Sequence, residues 1–113
     1  MKTYVYTLNL KNDAELIARY LEYHRAVWPE VIESVKKAGI LGDRVYRLGT
    51  RLVLMLDVED DFDPQHDLLT YTQHPRAKEW DALMKTFQEP VPEAKADEWW
   101  ALMEKVFDLR DHK

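Results

Sequence analysis

The sequence predicts an α+β fold in the order β-α-β-β-α-β, with a four-stranded antiparallel sheet and its helices on one face. Three observations predict it: alternation of apolar and polar residues over Thr3 to Leu10 and again over Arg51 to Glu59, helical periodicity in the long segments between strands, and Pro or Gly at the boundaries. With 113 residues, 46% hydrophobic and 33% charged, the chain has apolar mass for one core and one domain spanning residues 1–113.

In "TYVYTLNL" the residues Tyr4, Tyr6, Leu8 and Leu10 share one side, and Thr3, Val5, Thr7 and Asn9 the other, which makes a strand. Asn12 or Asp13 then offers an N-cap oxygen, and Leu16, Ile17, Tyr20, Leu21 and His24 recur at helical spacing. Trp28-Pro29 interrupts that helix, because proline lacks the backbone donor and pushes its predecessor out of the α region. A second helical piece follows, with Val31, Ile32, Val35 and Ala38 as its apolar stripe and Gly39 as its stop. Arg44 to Leu48 and Arg51 to Glu59 read as a hairpin turning at Gly49-Thr50. Asp63-Pro64 opens a short helix to Thr72, and His74-Pro75 opens another in which Ala77, Trp80, Met84 and Phe87 share a face, ended by Pro90 and Pro92. Met103, Phe107 and Leu109 fit a last strand, although "WWALMEK" also starts as a helix would.

This order is the split βαβ, ferredoxin-like signature, which leaves one sheet face uncovered. With 4 Trp and 6 Tyr in so short a chain, an open apolar face invites aggregation unless a second copy closes it, so a homodimer joined sheet to sheet is expected.

Composition removes several function classes. A net charge of −5 disfavours nucleic acid and anionic membrane as partners. The absence of cysteine excludes disulfides, thiolate metal sites and a Cys nucleophile. The N-terminus lacks a signal-peptide layout, and no apolar run approaches the roughly 20 residues of a bilayer span, so a cytoplasmic protein is expected. Three glycines form no phosphate loop, no nucleophile elbow is present, and His66 and His74 have no metal spacing, so neither cofactor nor metal is expected.

Of the 4 histidines, only His24 lies on the apolar stripe of a long predicted helix. Spacing alone favours a core imidazole with both nitrogens satisfied. Its company suggests more, because Tyr20 lies one turn before it and Trp28 one turn after, and a phenol, an imidazole and an indole together suit a small polar ligand with an apolar face, such as a sugar. Asp57 and Glu59 sit on the strand face away from Leu54 and Leu56, where they either line a cavity or run into the solvated acidic turn "EDDFD".

Tyr20-x3-His24-x3-Trp28-Pro29-Glu30, then Gly39, Tyr46, Glu59, Trp80-x3-Met84 and Val106-Phe107-x-Leu109, resembles the L-rhamnose mutarotase family over essentially the whole chain. The resemblance implies a dimeric α/β barrel that interconverts the anomers of a free 6-deoxy sugar without metal or cofactor. It places the family's proton-donor histidine on His24 and a substrate-contacting tyrosine on Tyr20, with Trp28, Tyr46, Trp80 and Asp81 as further substrate-binding positions. Two departures are visible: Asp81 stands where the family has the second of two tandem tryptophans, and another family tyrosine falls near Asp43 or Arg44. L-Rhamnose is therefore the first expectation for the substrate and L-fucose the alternative.

Mutarotation needs an acid and a base held together, and an imidazole with an unperturbed pKa near 6.5 serves as either. Trp99 and Trp100 form either a lid or a dimer contact. Two rival classes use the same fold: a cofactor-free oxygenase, which wants a wholly apolar pocket, and a non-catalytic sugar-binding module.

Overall fold

The computed structural model describes residues 1–112, the side chain of Leu69 excepted. Strand β1 (Lys2–Leu10) is followed by helices α1 (Ala14–Arg25) and α2 (Pro29–Lys37), the hairpin β2 (Ile40–Leu48) and β3 (Arg51–Val58), helices α3 (Pro64–Tyr71) and α4 (Pro75–Lys85), and two short strands, β4 (Gln88–Glu89) and β5 (Ala101–Leu102). The sheet order is β2-β3-β1-β4, with β5 also on β1, and all pairings are antiparallel. This is the ferredoxin-like arrangement, its fourth strand position divided between β4 and β5.

Register decides what each face carries. Tyr4 lies opposite Leu56, Tyr6 opposite Leu54 and Leu8 opposite Leu52, so these side chains share one face, and the helices cover it. Leu10 and Leu52 pack with Tyr20, Val31, Trp80, Met84 and Phe87, while Tyr6, Leu56 and Val58 pack with Ala38, Ile40 and Phe62. Leu8 and Val58 are fully buried, and each such side chain contributes about 1.5–3 kcal/mol of transfer free energy. The opposite face carries Val5, Val53, Met55, Arg44, Tyr46 and Leu48, with Tyr46 and Leu48 well exposed.

Local chemistry explains the boundaries. Asp13 caps α1 by accepting from the backbone N–H groups of Glu15 and Leu16 at 3.0 and 3.1 Å. Pro29 opens α2, and Gly39 lets the chain leave it with a φ of 89° that a side chain resists. Gly49 turns the hairpin at a φ of 60°.

Three expectations are corrected. The strand read from Arg44 begins at Ile40, because a bulge between Ile40 and Gly42 restores pairing with β3 where alternation in the sequence breaks. Helix α4 stops at Lys85, and Gln88–Glu89 returns to pair with β1 before the prolines are reached. The last strand is only Ala101–Leu102, and Phe107 and Leu109 lie exposed beyond it, since β1 has an open edge there only between β4 and its own start.

Candidate active site

The stripe of α1 that packs on the sheet carries Tyr20 and His24 one turn apart near its C-terminal end. The His24 ring lies over the Tyr20 ring, with centroids 4.2 Å apart, and meets the edge of Trp80 at 5.6 Å. Its Nδ1 lies 2.9 Å from the Tyr20 backbone carbonyl. A carbonyl only accepts, so Nδ1 carries the proton, and the lone pair of the neutral ring is on Nε2. Burial lowers the His24 pKa below 6.5, against the smaller opposing effect of that hydrogen bond. The resting group is a neutral imidazole with Nε2 as proton acceptor.

Tyr20 is buried and its phenol pKa is pushed up to about 12 by desolvation, so it keeps its proton. A chain of donors fixes what the phenol oxygen accepts. The indole N–H of Trp99 can only donate, and it donates to Gln88 Oε1 at 2.9 Å. The Gln88 amide must then turn its Nε2 toward Tyr20, donating to the hydroxyl oxygen over a long 3.5 Å. Having accepted there, the Tyr20 hydroxyl is free to donate elsewhere.

Asp43 enters from the sheet. It lies opposite Leu56 in the β2–β3 register and therefore on the helix-covered face. Surrounding protein raises its pKa, while its side chain remains open to solvent. Its neighbour Arg44 points to the other face and pairs with Asp57 at 2.7 Å. Among the described residues Asp43 has neither hydrogen bond nor ion pair, and its charge reaches both Tyr20 and Tyr71, raising each phenol. Asp81 acts on Tyr71 too and pairs with Lys85 at 3.1 Å.

The expected site residues divide. His24, Tyr20 and Trp80 are brought together, while Asp81 pairs with Lys85. Trp28 meets Trp80 edge to face at 5.1 Å, with the Arg76 guanidinium 3.9 Å from its ring centre, so it buttresses Trp80, which is itself only 5% exposed. Tyr46 is not brought to the cluster: it pairs with Val53, on the opposite face of the sheet. Asp57 lies on that face as well, tied to Arg44 and to the hydroxyl of Thr3 at 2.8 Å. Gln88 and Tyr71 were missed by sequence reasoning, since Gln88 lay in a presumed helix tail and Tyr71 on a helix of weak periodicity. Asp43 was legible only as a departure from the family pattern, and counting alternation back from Val45 would have put it on the covered face.

Concavities of about 300 Å³ and 550 Å³ open elsewhere, one beside Gly39 and Phe62 and the other along Arg19, Tyr23 and Trp28. Among the described residues no group of three or more His, Asp or Glu side chains is arranged to hold a metal ion, and no helix is long and apolar enough to cross a membrane.

Fold and site define a small ferredoxin-like protein with a part-buried imidazole stacked on a buried phenol between its helices and its sheet. The chain belongs to the L-rhamnose mutarotase family, whose model matches residues 3–109, and with it to the isomerases that act on carbohydrates. It is 43% identical over 112 residues to a UPF0734 protein of Dictyostelium discoideum, covering 96% of this chain and 90% of that one. It is 38% identical over 113 residues to the L-fucose mutarotase of Xanthomonas campestris pv. campestris, covering 98% and 90%. Its fold matches the crystal structure of an L-rhamnose mutarotase from Formosa agariphila with a TM-score of 0.67 at 17% identity, covering 96% and 98%.

Proposed function

We propose that the protein is a cofactor-free mutarotase that interconverts the α and β anomers of a free 6-deoxyhexose, acting in the cytoplasm as a homodimer joined through its bare sheet face. One observation carries the reading: His24 is held neutral, with Nδ1 tied to the Tyr20 carbonyl and Nε2 left as acceptor, beside a phenol whose hydroxyl is free to donate. Ring opening needs such a pair, one group to take the proton of the anomeric hydroxyl and another to stabilise the oxygen that gains charge. The Gln88 amide bonded to Tyr20, with the carboxyls of Asp43 and Asp81 acting on the nearby phenol of Tyr71, suits hydroxyls better than the flat apolar substrate of an oxygenase.

Between the two sugars, the near full-length relative named for L-fucose, at 38% identity, moves L-fucose ahead of L-rhamnose. Asp81, where the family pattern has a tryptophan, adds a hydrogen-bond acceptor for a hydroxyl pattern different from that of rhamnose, and a family tyrosine is replaced near Asp43 or Arg44.

The test is exchange between anomeric proton signals by NMR saturation transfer, with L-fucose, L-rhamnose and D-glucose beside enzyme-free controls. The protein accelerates exchange of the 6-deoxyhexoses, and His24→Ala lowers that rate by about 10²–10⁴ while sugar binding persists. Unaccelerated exchange for every sugar would defeat the reading, and full activity in His24→Ala would remove its mechanism.

A further inference from the structure

We infer that Trp99 is a positioning residue for the reaction, holding the Gln88 amide in the one orientation that leaves the Tyr20 hydroxyl proton for the sugar. The inference rests on the mutarotase reading above and carries it to a residue outside the cluster of His24, Tyr20 and Trp80.

Two short strands on one edge of β1 bring the pair together. Gln88 lies opposite Leu10 in β4 and Ala101 opposite Thr7 in β5, so the loop from Pro90 to Trp100 leaves β1 and returns to it close by. Glu98 ties that loop down by accepting from the backbone N–H groups of Lys95 and Leu102 at 2.9 and 3.2 Å, and Trp100 packs on both halves of the core. Trp99 is held between these anchors, with the Lys85 ammonium 5.7 Å from its ring centre. Its place in the sequence suits a lid or a dimer contact. The indole N–H instead turns inward, to a glutamine only 5% exposed.

What that contact does follows from the donors on each side of the amide. A phenol O–H is a strong donor and its oxygen a weak acceptor, because the ring draws on the oxygen lone pair, whereas an amide oxygen is a strong acceptor. Alone with Tyr20, the Gln88 side chain would turn its oxygen to the phenol and occupy the hydroxyl proton itself. Trp99 opposes that turn, which would set the amide NH2 against the indole N–H, two donors with nothing to accept. Oε1 therefore stays on Trp99 at 2.9 Å and Nε2 on Tyr20 at 3.5 Å, and the Tyr20 ring lies against that of His24 with centroids 4.2 Å apart. Indole and amide then donate in series, each bond polarising the next, and the phenol proton is left for the sugar oxygen that gains charge as the ring opens. The same Gln88 bond works against the burial that raises the Tyr20 pKa.

Trp99→Phe keeps a ring in place and removes the N–H. In the same NMR exchange assay with L-fucose, the rate at saturation is expected to fall about tenfold or more, with the half-saturating sugar concentration within about threefold of that of the unaltered chain. Rescue by a second substitution separates positioning from packing. Gln88→Met removes the oxygen that would occupy the Tyr20 proton, so Trp99→Phe/Gln88→Met is expected to exchange faster than Trp99→Phe alone and to match Gln88→Met, whereas two packing defects would compound. Gln88→Glu, whose carboxylate accepts from indole and phenol alike, is expected to show the loss of Trp99→Phe with the tryptophan still in place. A Trp99→Phe chain with the original rate, a loss confined to sugar affinity, or a double variant no faster than Trp99→Phe assigns Trp99 to packing and overturns its role while leaving the mutarotase reading intact. Should Trp99→Phe fail to fold, a Gln88→Glu chain with the original rate overturns the role equally. If the unaltered chain accelerates exchange of neither L-fucose nor L-rhamnose, it is the mutarotase reading that falls, and this role with it.

Discussion

His24 is a proton acceptor at rest because two forces act on its two nitrogens: a backbone carbonyl claims the proton on Nδ1, and surrounding apolar groups make a second proton on the ring unfavourable. The same arrangement leaves a mark on stability. The folded pKa lies below the unfolded value near 6.5, so as pH falls through 6.5 the unfolded chain binds a proton that the folded chain refuses. His24 therefore supports the fold above 6.5 and weakens it as pH drops toward its folded pKa. Asp43 acts with the opposite sign, since a raised carboxyl pKa makes the folded state bind the extra proton, so the His24 contribution has to be read as a difference. Urea unfolding of the natural chain and of His24→Gln, at matched pH values from 7.5 to 5, should show the natural chain losing stability relative to the variant as pH falls. A pH-independent difference contradicts the buried neutral ring.

Among the elements, the break between α1 and α2 sets the site. Had the helix continued through Trp28-Pro29, the stripe carrying Tyr20 and His24 would run on past the sheet; instead Ala26 ends α1 two residues after His24, and α2 turns back with Val31 in the same core as Tyr20. Gly39 makes the complementary turn from α2 into β2, which starts the register that brings Asp43 to the covered face. A methyl group there would sit 3.5 Å from Phe62, an ordinary contact, so the cost of Gly39→Ala is backbone strain at a φ of 89°. We expect Gly39→Ala to lose about 1–3 kcal/mol of unfolding free energy with an unchanged denaturant slope. A loss of under a few tenths of a kcal/mol means the loop adapts and the turn is not constrained.

For the whole molecule, the helices cover one face of the sheet and leave the other with Tyr46 56% exposed and Leu48 86% exposed beside Val53 and Met55. An apolar sheet face of this kind is covered most readily by the same face of a second copy, and the C-terminal segment adds exposed Val106, Phe107 and Leu109. Light scattering coupled to gel filtration should give twice the 13.5 kDa chain mass at micromolar concentration. Val53→Asp, with its charge placed opposite Tyr46 and Thr7, should shift that to the single-chain mass with the circular dichroism spectrum retained. A natural chain that stays monomeric across that range removes the homodimer.

The amino-acid sequence alone determined what depends on neighbours along the chain. Alternation made β1 and β3 legible, helical spacing put Tyr20 beside His24, and Pro29, Gly39, Pro64 and Pro75 marked where helices begin or end. The family pattern over those residues then identified the family. What only the tertiary structure decided depends on residues far apart in the chain. The β2–β3 register put Asp43 on the covered face and Tyr46 on the bare one, a choice that a shift of one residue would reverse. Packing turned Trp28 and Trp80 into a buttress, and the Trp99–Gln88–Tyr20 hydrogen bonds left a phenol proton free to donate, which no local pattern specifies. Strand pairing and side-chain donor geometry are set by partners 10 to 70 residues away, on the order of the whole fold, and local periodicity carries no record of them.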